Sequence, residues 1–416
     1  MIQDIFDLIK KEEERQQNNI ELIASENIVS ENVLKATGSI LTNKYAEGYP
    51  EHRYYNGCEF IDKIETIAIE EAKKLFNVEY VNVQPANGSV MNMQVYKALL
   101  KNGDIISGQH INMGGHLTHG ASVSISGTDY HAIQYGLTSD GYIDYDEIEK
   151  IVKENDVKMI VCGASAYSRE IDWKKIKQIR DEYRPSAYIL ADISHYAGLI
   201  VAGEYPSPVG IADVITTTTH KTLRGPRGGI IMTNNQEIAK KINFAVFPFS
   251  SGGPLEHVIA AKAIAFMEAQ TQEFKQYAKQ IKKNIQAMIS VFKKNGFKIV
   301  SNGSDSHMFL LDLTPFKISG KKTADMLDLC GITLNMNLIP NDPLSPKKTS
   351  GVRIGTPAIT TRGFKEEECF EIANIISDIV NFIKDKKDEE LNNNKLWIKQ
   401  YKERVKKLTE KYPLKK

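Results

Sequence analysis

Between about residues 61 and 235, short uninterrupted apolar runs alternate with helical stretches, and this alternation restricts the fold more than any other feature. The runs are DIISG (104–108), VKMIVCG (157–163), AYILAD (187–192), ADVITTTT (212–219) and GGIIMT (228–233). Helical patterns occupy 61–76, 88–101 and 173–183. Strands without polar alternation are buried on both faces, which requires helices on each side of a mostly parallel sheet. The expected class is therefore α/β. In such sheets ligands bind beyond the carboxyl ends of the strands, so the chemistry belongs just after the apolar runs.

The flanking regions have a different texture. Ile2, Ile5, Phe6 and Ile9 follow helical spacing, as in an amphipathic arm, and residues 20–60 are irregular and rich in Asn, Gly, Tyr and Glu. Residues 254–293 read as helical. After Gly296, FKIVS, HMFLLDL and VRIG read as strands, with helices at 322–330 and 365–384. Ile372, Ile375, Ile376, Ile379, Val380 and Ile383 form one apolar helical face. The expected segments are an N-terminal arm and inter-subunit segment (1–60), a large domain (61–289), a smaller C-terminal α+β domain (290–385) and a charged, solvated helical tail (386–416).

Charge is balanced: 53 Lys and Arg against 52 Asp and Glu give a formal net charge of +1. No global attraction to nucleic acid or to a membrane surface follows. No apolar run reaches the roughly 20 residues that span a bilayer. Cys58, Cys162, Cys330 and Cys369 are widely separated, with no metal-ligand spacing and no disulfide framework. The start of the chain lacks the apolar core of a secretion signal. These features lead to the expectation of a cytoplasmic protein that uses no metal.

The chemistry concentrates in IADVITTTTHKTLRGPRGG (211–229). Lys221 follows a buried strand and sits among His220, Arg224 and Arg227, and a partly dry, cationic setting makes an amine nucleophilic. One strand earlier AYILAD ends on Asp192. A carboxylate there needs a cationic partner; taken alone it also suits a helix cap or a metal. Asp192 and Lys221 together, on successive strand ends, favour pyridoxal 5'-phosphate (PLP), whose ring nitrogen pairs with an acid and whose aldehyde joins a lysine. QPANGSVMN (84–92) places Asn87, Gly88 and Ser89 at a helix start, where backbone N–H groups bind phosphate; in isolation the same residues are an ordinary turn and cap.

At this point the sequence resembles the serine hydroxymethyltransferases. The matching strings run in order from about residue 18 to 385: ELIASEN, LTNKYAEGYP, RYYNGCE, GGHLTHG, GASAYSR, TTTTHKTLRGPRGG, AVFP, GGPL, HVIAAKA and TSGVRIGTPAITTRGF. The resemblance implies the PLP-dependent transferase fold type I and transfer of the serine hydroxymethyl carbon to tetrahydrofolate. It implies that Lys221 holds PLP, Asp192 pairs with the ring nitrogen, His116 stacks on the ring and His220 influences reaction specificity. Ser165 and His195 would lie near the cofactor's phenolic oxygen and the substrate carboxylate. Asn87, Gly88 and Ser89 would cradle the phosphate, and Arg353 with Ser25 would clamp the amino-acid carboxylate. Tyr45, Glu47 and Tyr55 would reach a neighbouring subunit's site, as would Gly252 and Gly253, so the resemblance implies a homodimer with shared active sites, or a tetramer. Glu47 would move protons beside the transferred carbon, and Tyr54, Ile111, Gly114, Gly115, Leu117 and Asn337 would complete the folate surface.

Several positions depart from the family pattern, among them Ile111, a near-isosteric replacement of the usual Leu. Asn87 replaces the first serine of the phosphate turn, Phe249-Ser250-Ser251 alters the loop after AVFP, and Lys347 stands where an aromatic wall of the folate pocket is usual. Lys347 and the altered 249–251 loop motivate one alternative, a folate-independent PLP aldolase or transaldolase acting on β-hydroxy amino acids. A non-catalytic binding protein, for RNA for instance, is a second alternative, opposed by the balanced charge and the retained Lys221, Asp192, His116, Glu47 and Arg353.

Overall fold

The structure is a computed structural model and describes residues 2–393 and 396–414. The chain opens with helix α1 (Ile2–Asn18). It divides into two units, Val29–Ala278, and Met1–Ile28 together with Lys279–Lys416.

The first unit carries the expected sheet. Its strands are β1 (Tyr80–Asn82), β2 (Ile105–Gly108), β3 (His131–Ala132), β4 (Val157–Cys162), β5 (Tyr188–Asp192), β6 (Val214–Thr218) and β7 (Gly229–Thr233). Their order across the sheet is β1-β7-β6-β5-β4-β2-β3. All neighbours are parallel except β7, which runs antiparallel to β1 and β6. The central strands β6 and β7 are buried along their whole length, in keeping with their unbroken apolar or threonine character.

Two helices beside this sheet show why the sequence folds here. Helix α2 (Glu59–Phe76) buries Ile61, Glu65, Ala68, Ala72 and Phe76 at helical spacing. Acidic residues begin it, lysines end it, and Asn77 closes it in the left-handed conformation. Helix α3 (Gly88–Leu99) is capped by Asn87, whose side-chain oxygen accepts the Val90 N–H at 3.0 Å. The helical stretch expected over 254–293 is two helices, α4 (Glu256–Ala269) and α5 (Gln272–Lys294), and the boundary between the units falls within α5.

The second unit contains a four-stranded sheet of Lys298–Ile299, Met308–Asp312, Gly351–Gly355 and Asn335–Asn337, in that order, with all pairs antiparallel. Helix α6 (Glu366–Ile383) contributes the predicted apolar face: all six residues named from the pattern are fully buried.

The division differs from the segments expected from the sequence. Residues 20–22 pair with Ile332–Thr333, so the start of the chain belongs with the C-terminal unit, while 29–60 fold with the large sheet. The tail is helical, as expected, and solvated over most of its surface, but one face is buried. Helix α7 (Leu396–Lys411) buries Trp397 and Val405, and Trp397 packs on Phe382 with ring centroids 5.4 Å apart. Trp397, Tyr401, Val405, Leu408 and Tyr412 recur every three to four residues, an apolar stripe hidden among many lysines.

A single arginine ties both ends of the chain to this unit. Arg362 is buried and donates to five backbone carbonyls: Tyr412 at 2.7 Å, Gln16 and Asn19 each at 3.1 Å, Thr409 at 2.9 Å, and Gln17. These carbonyls belong to the ends of α1 and α7, where helices leave acceptors unsatisfied and present negative dipole charge. A guanidinium has five N–H donors, and each finds an acceptor. Burial alone pulls this group's pKa down to about 10. Replacing Arg362 with Leu should destabilise the protein by about 3 kcal/mol or more in urea unfolding, and Lys, with three donors, should recover less than half of the loss.

Candidate active site

Asp192 ends β5 with its carboxylate buried. One oxygen accepts the amide of Asn92 at 2.8 Å and lies 3.0 Å from Nε2 of His119. The other accepts the Ser194 N–H at 3.1 Å and the Ser194 hydroxyl at 2.6 Å. Burial alone would raise its pKa, but the His119 hydrogen bond and charge outweigh that, followed by His116 and Ser194, and hold the group well below the carboxylate range. Asp192 is thus a fixed buried anion. The second ring nitrogen of His119 is buried with no hydrogen-bond partner, so the imidazole's polar contact is directed to Asp192 alone.

Around this anion the four-threonine run forms a polar strap. Thr216 donates to the Asn92 side-chain oxygen at 2.9 Å, and Asn92 in turn donates to Thr118 at 2.9 Å. The Thr218 N–H donates to the Ser194 hydroxyl at 3.0 Å, and Lys221 Nζ donates to the Thr218 hydroxyl at 2.8 Å. Ser194 therefore bridges Asp192 to the strand that carries the lysine. Thr222 donates to the His195 carbonyl at 2.9 Å, which fixes the segment after Asp192 to the segment after Lys221.

His116 shares this network: its Nδ1 lies 2.8 Å from the Thr118 hydroxyl, and its ring centroid lies 5.4 Å from that of His119. Burial, and then His119, pull its pKa down to about 4, so it is a neutral ring at neutral pH. His220 is also neutral, lowered to about 3 by burial, then Lys221, then Arg227. Its Nδ1 is buried without a partner. Ser165 lies beside the GGHLTHG segment, its N–H donating to the Gly114 carbonyl at 2.9 Å.

Asn87 and Ser89 are exposed at the start of α3, whose first N–H groups have no intrahelical acceptor. Gly88 has no room for a side chain, since a Cβ would lie 2.8 Å from the Thr218 methyl. The same threonine thus touches the lysine amine and the turn at Gly88. A buried fixed anion, a nearby amine, a neutral ring and an open helix start are the donor set PLP requires, so the residues present fit that cofactor.

Tyr45, Glu47, Tyr55, Gly252 and Gly253 form a separate cluster. Tyr45 donates to Glu47 at 3.2 Å and meets Tyr55 edge-on at 5.2 Å. A Cβ on Gly252 would lie 2.9 Å from the Glu47 carboxylate, and one on Gly253 would lie 3.3 Å from the Tyr45 ring. Tyr54 is 74% exposed, and Ile111 and Leu117 are exposed as well. Ser25, Arg353 and Asn337 belong to the other unit. There Arg353 is buried, with Nε donating to Asn335 at 3.1 Å, and Gly355 packs directly on Ala24 beside Ser25. Lys347 is exposed in the loop before Thr349.

Sequence reasoning did not single out His119, Asn92, Thr118 or Ser194. Only the second histidine of GGHLTHG carried a signal, and it reads as a loop residue until the fold sets it against Asp192.

A family model described as serine hydroxymethyltransferase matches residues 1–376. Serine hydroxymethyltransferase 2 of Pseudomonas fluorescens (strain Pf0-1) is 54% identical over 412 residues, covering 99% of this chain and 96% of the relative. The enzyme named serine hydroxymethyltransferase in Lactobacillus johnsonii is 53% identical over 413 residues, covering 99% of this chain and 98% of that protein. These matches support the leading reading rather than the folate-independent aldolase. With a family match over most of its length and relatives this close, the chain belongs to the serine hydroxymethyltransferase family, PLP-dependent transferases of fold type I that use tetrahydrofolate as the one-carbon acceptor.

Proposed function

We propose that this chain carries out glycine hydroxymethyl transfer through Lys221 and Asp192, with the pinned carboxylate of Asp192 beside the lysine strand as the observation that carries the assignment. PLP held at Lys221 supplies the electron sink that lets the serine Cα–Cβ bond break. Asp192 keeps a proton on the ring nitrogen by presenting a carboxylate that does not itself take one. His116, neutral at working pH, offers a flat uncharged face; Ser165 bonds to Gly114 in the same segment, and the His195 carbonyl accepts from Thr222, next to Lys221. Arg353 is suited to the substrate carboxylate by its planar fork, and Ser25, in the same unit, is the second candidate for that anion. Glu47 and Tyr55 accept and return protons at the hydroxyl of the transferred hydroxymethyl group. Within the first unit, Tyr54, Ile111, Gly114, Gly115 and Leu117 are the candidates for holding folate, and Asn337 is the candidate in the second unit.

The Tyr45–Glu47–Tyr55 cluster serves a second copy of the chain. Tyr45, Tyr54, Tyr55, Phe60 and Phe249 are each 48–74% exposed, more aromatic surface than a monomer leaves to water without a use. Helix α1 buries none of its residues, and Ile2, Ile5, Phe6, Leu8 and Ile9 are all exposed. A homodimer covers such surfaces and lets each copy lend Glu47, Tyr55, Gly252 and Gly253 to the other. Among the described residues no helix is long and apolar enough to cross a membrane, and the four cysteines are free and buried. Free thiols suit a reducing cytoplasm.

Mixing a Lys221→Gln protein with a Glu47→Gln protein, each inactive alone, should restore activity to about a quarter of wild type after subunit exchange. No recovery despite exchange would place Glu47 and Lys221 of one chain in the same site. For the acid pair, His119→Leu should lower kcat roughly tenfold with a smaller change in KM. Losing His119 raises the Asp192 pKa, and because the ionised form is the working one, the acidic limb of the pH–rate profile should move to higher pH.

A further inference from the structure

Lys262 lies on α4 with 1% of its surface exposed, yet among the described residues no acidic side chain forms an ion pair with its ammonium. Nζ instead donates to three backbone carbonyls: Val83 at 2.6 Å, Pro85 at 3.0 Å and Gly229 at 2.9 Å. Burial pulls the amine's pKa down to about 7 and the nearby Glu65 carboxylate opposes that, but three acceptors at hydrogen-bond distance use three N–H groups, which only the protonated amine possesses. Its stem passes beneath Gly228, where a Cβ would lie 2.4 Å from Cε and 3.0 Å from Nζ. The glycine there is needed for the lysine to pass.

The three carbonyls belong to two segments that meet at the proposed cofactor site. Val83 and Pro85 lead into the turn at 86–89. Gly229 ends the turn that returns from Lys221, and its N–H donates to the Pro85 carbonyl at 3.0 Å. The preceding Gly228 carbonyl accepts the Thr219 N–H at 3.1 Å, two residues before Lys221. One ammonium thus pins the turn before α3 to the turn behind the lysine. A small cation ringed by carbonyl oxygens is also how a potassium ion is held.

We propose that Lys262 is a positioning residue for the phosphate end of the cofactor site, a built-in monovalent cation that fixes the 86–89 turn against the turn following Lys221. The inference rests on the assignment of Asn87, Gly88 and Ser89 to the phosphate. It separates from a general packing role because it predicts a defect specific to the phosphate.

The test titrates full-length apoprotein with PLP and, separately, with pyridoxal, which lacks the phosphate. In Lys262→Met the affinity for PLP should fall about tenfold or more while that for pyridoxal changes by less than about twofold. In Lys262→Ala, methylammonium or potassium, but not lithium at equal ionic strength, should restore the preference for PLP. Parallel weakening of both ligands, or unchanged PLP affinity, would overturn the proposal. If Lys262→Met does not fold, the Lys262→Ala titrations decide, and a Lys262→Ala protein that gains nothing from the added cations counts against it. Ser89→Ala is the control. If it leaves the PLP-to-pyridoxal ratio unchanged, the phosphate assignment fails and this inference with it; if it lowers the ratio and Lys262→Met does not, only the role of Lys262 fails.

Discussion

The structure depends on keeping one carboxylate ionised inside the protein. Asp192 sits at the end of a buried strand, where desolvation favours the neutral acid. Four hydrogen-bond contacts, from Asn92, His119 and both polar groups of Ser194, reverse that preference. They come from three parts of the first unit: helix α3, the GGHLTHG segment, and the turn after β5, which supplies two. The parallel sheet gives these pieces a common origin by collecting strand ends on one side. Ser194 and Thr218 then carry the same network to Lys221, so the amine's placement follows from the anion's.

The buried cations follow the opposite arrangement. Arg362 and Lys262 are satisfied by backbone carbonyls, five for the guanidinium and three for the ammonium. A cation held this way fixes chain segments without needing a buried acid, and so avoids a second ion whose desolvation must be offset. Arg362 joins the two ends of the chain within one unit, and Lys262 joins two turns within the other. Arg53 shows a third arrangement, bonded to the carboxylates of Asp62 and Glu65 and lying 3.9 Å from the buried Glu256.

The central sheet was legible because parallel strands leave continuous apolar runs, and β2, β4, β5, β6 and β7 all fall within runs read from the sequence. Lys221 and Asp192 were legible because charged residues directly after such runs are costly without a function. The last helix was legible as a helix, but its buried face was not: the apolar stripe is diluted by lysines, and the pattern emerges only once Trp397 is seen against Phe382. His119, Asn92 and Ser194 were hidden for another reason. Each is an ordinary polar residue in its own segment, and its meaning lies in a contact with Asp192 that no local pattern encodes. The clustering of Tyr45 and Glu47 with Gly252 and Gly253, some two hundred residues later, could be reached only through family resemblance.

The central claim is that one amine, Lys221, takes the cofactor covalently beside the anion at 192. Borohydride reduction of the PLP-loaded protein, followed by peptide mass mapping, tests it directly. The account predicts a pyridoxyl group on Lys221 alone, with none at Lys262 or any other lysine. A label elsewhere, with Lys221 unmodified, would contradict it.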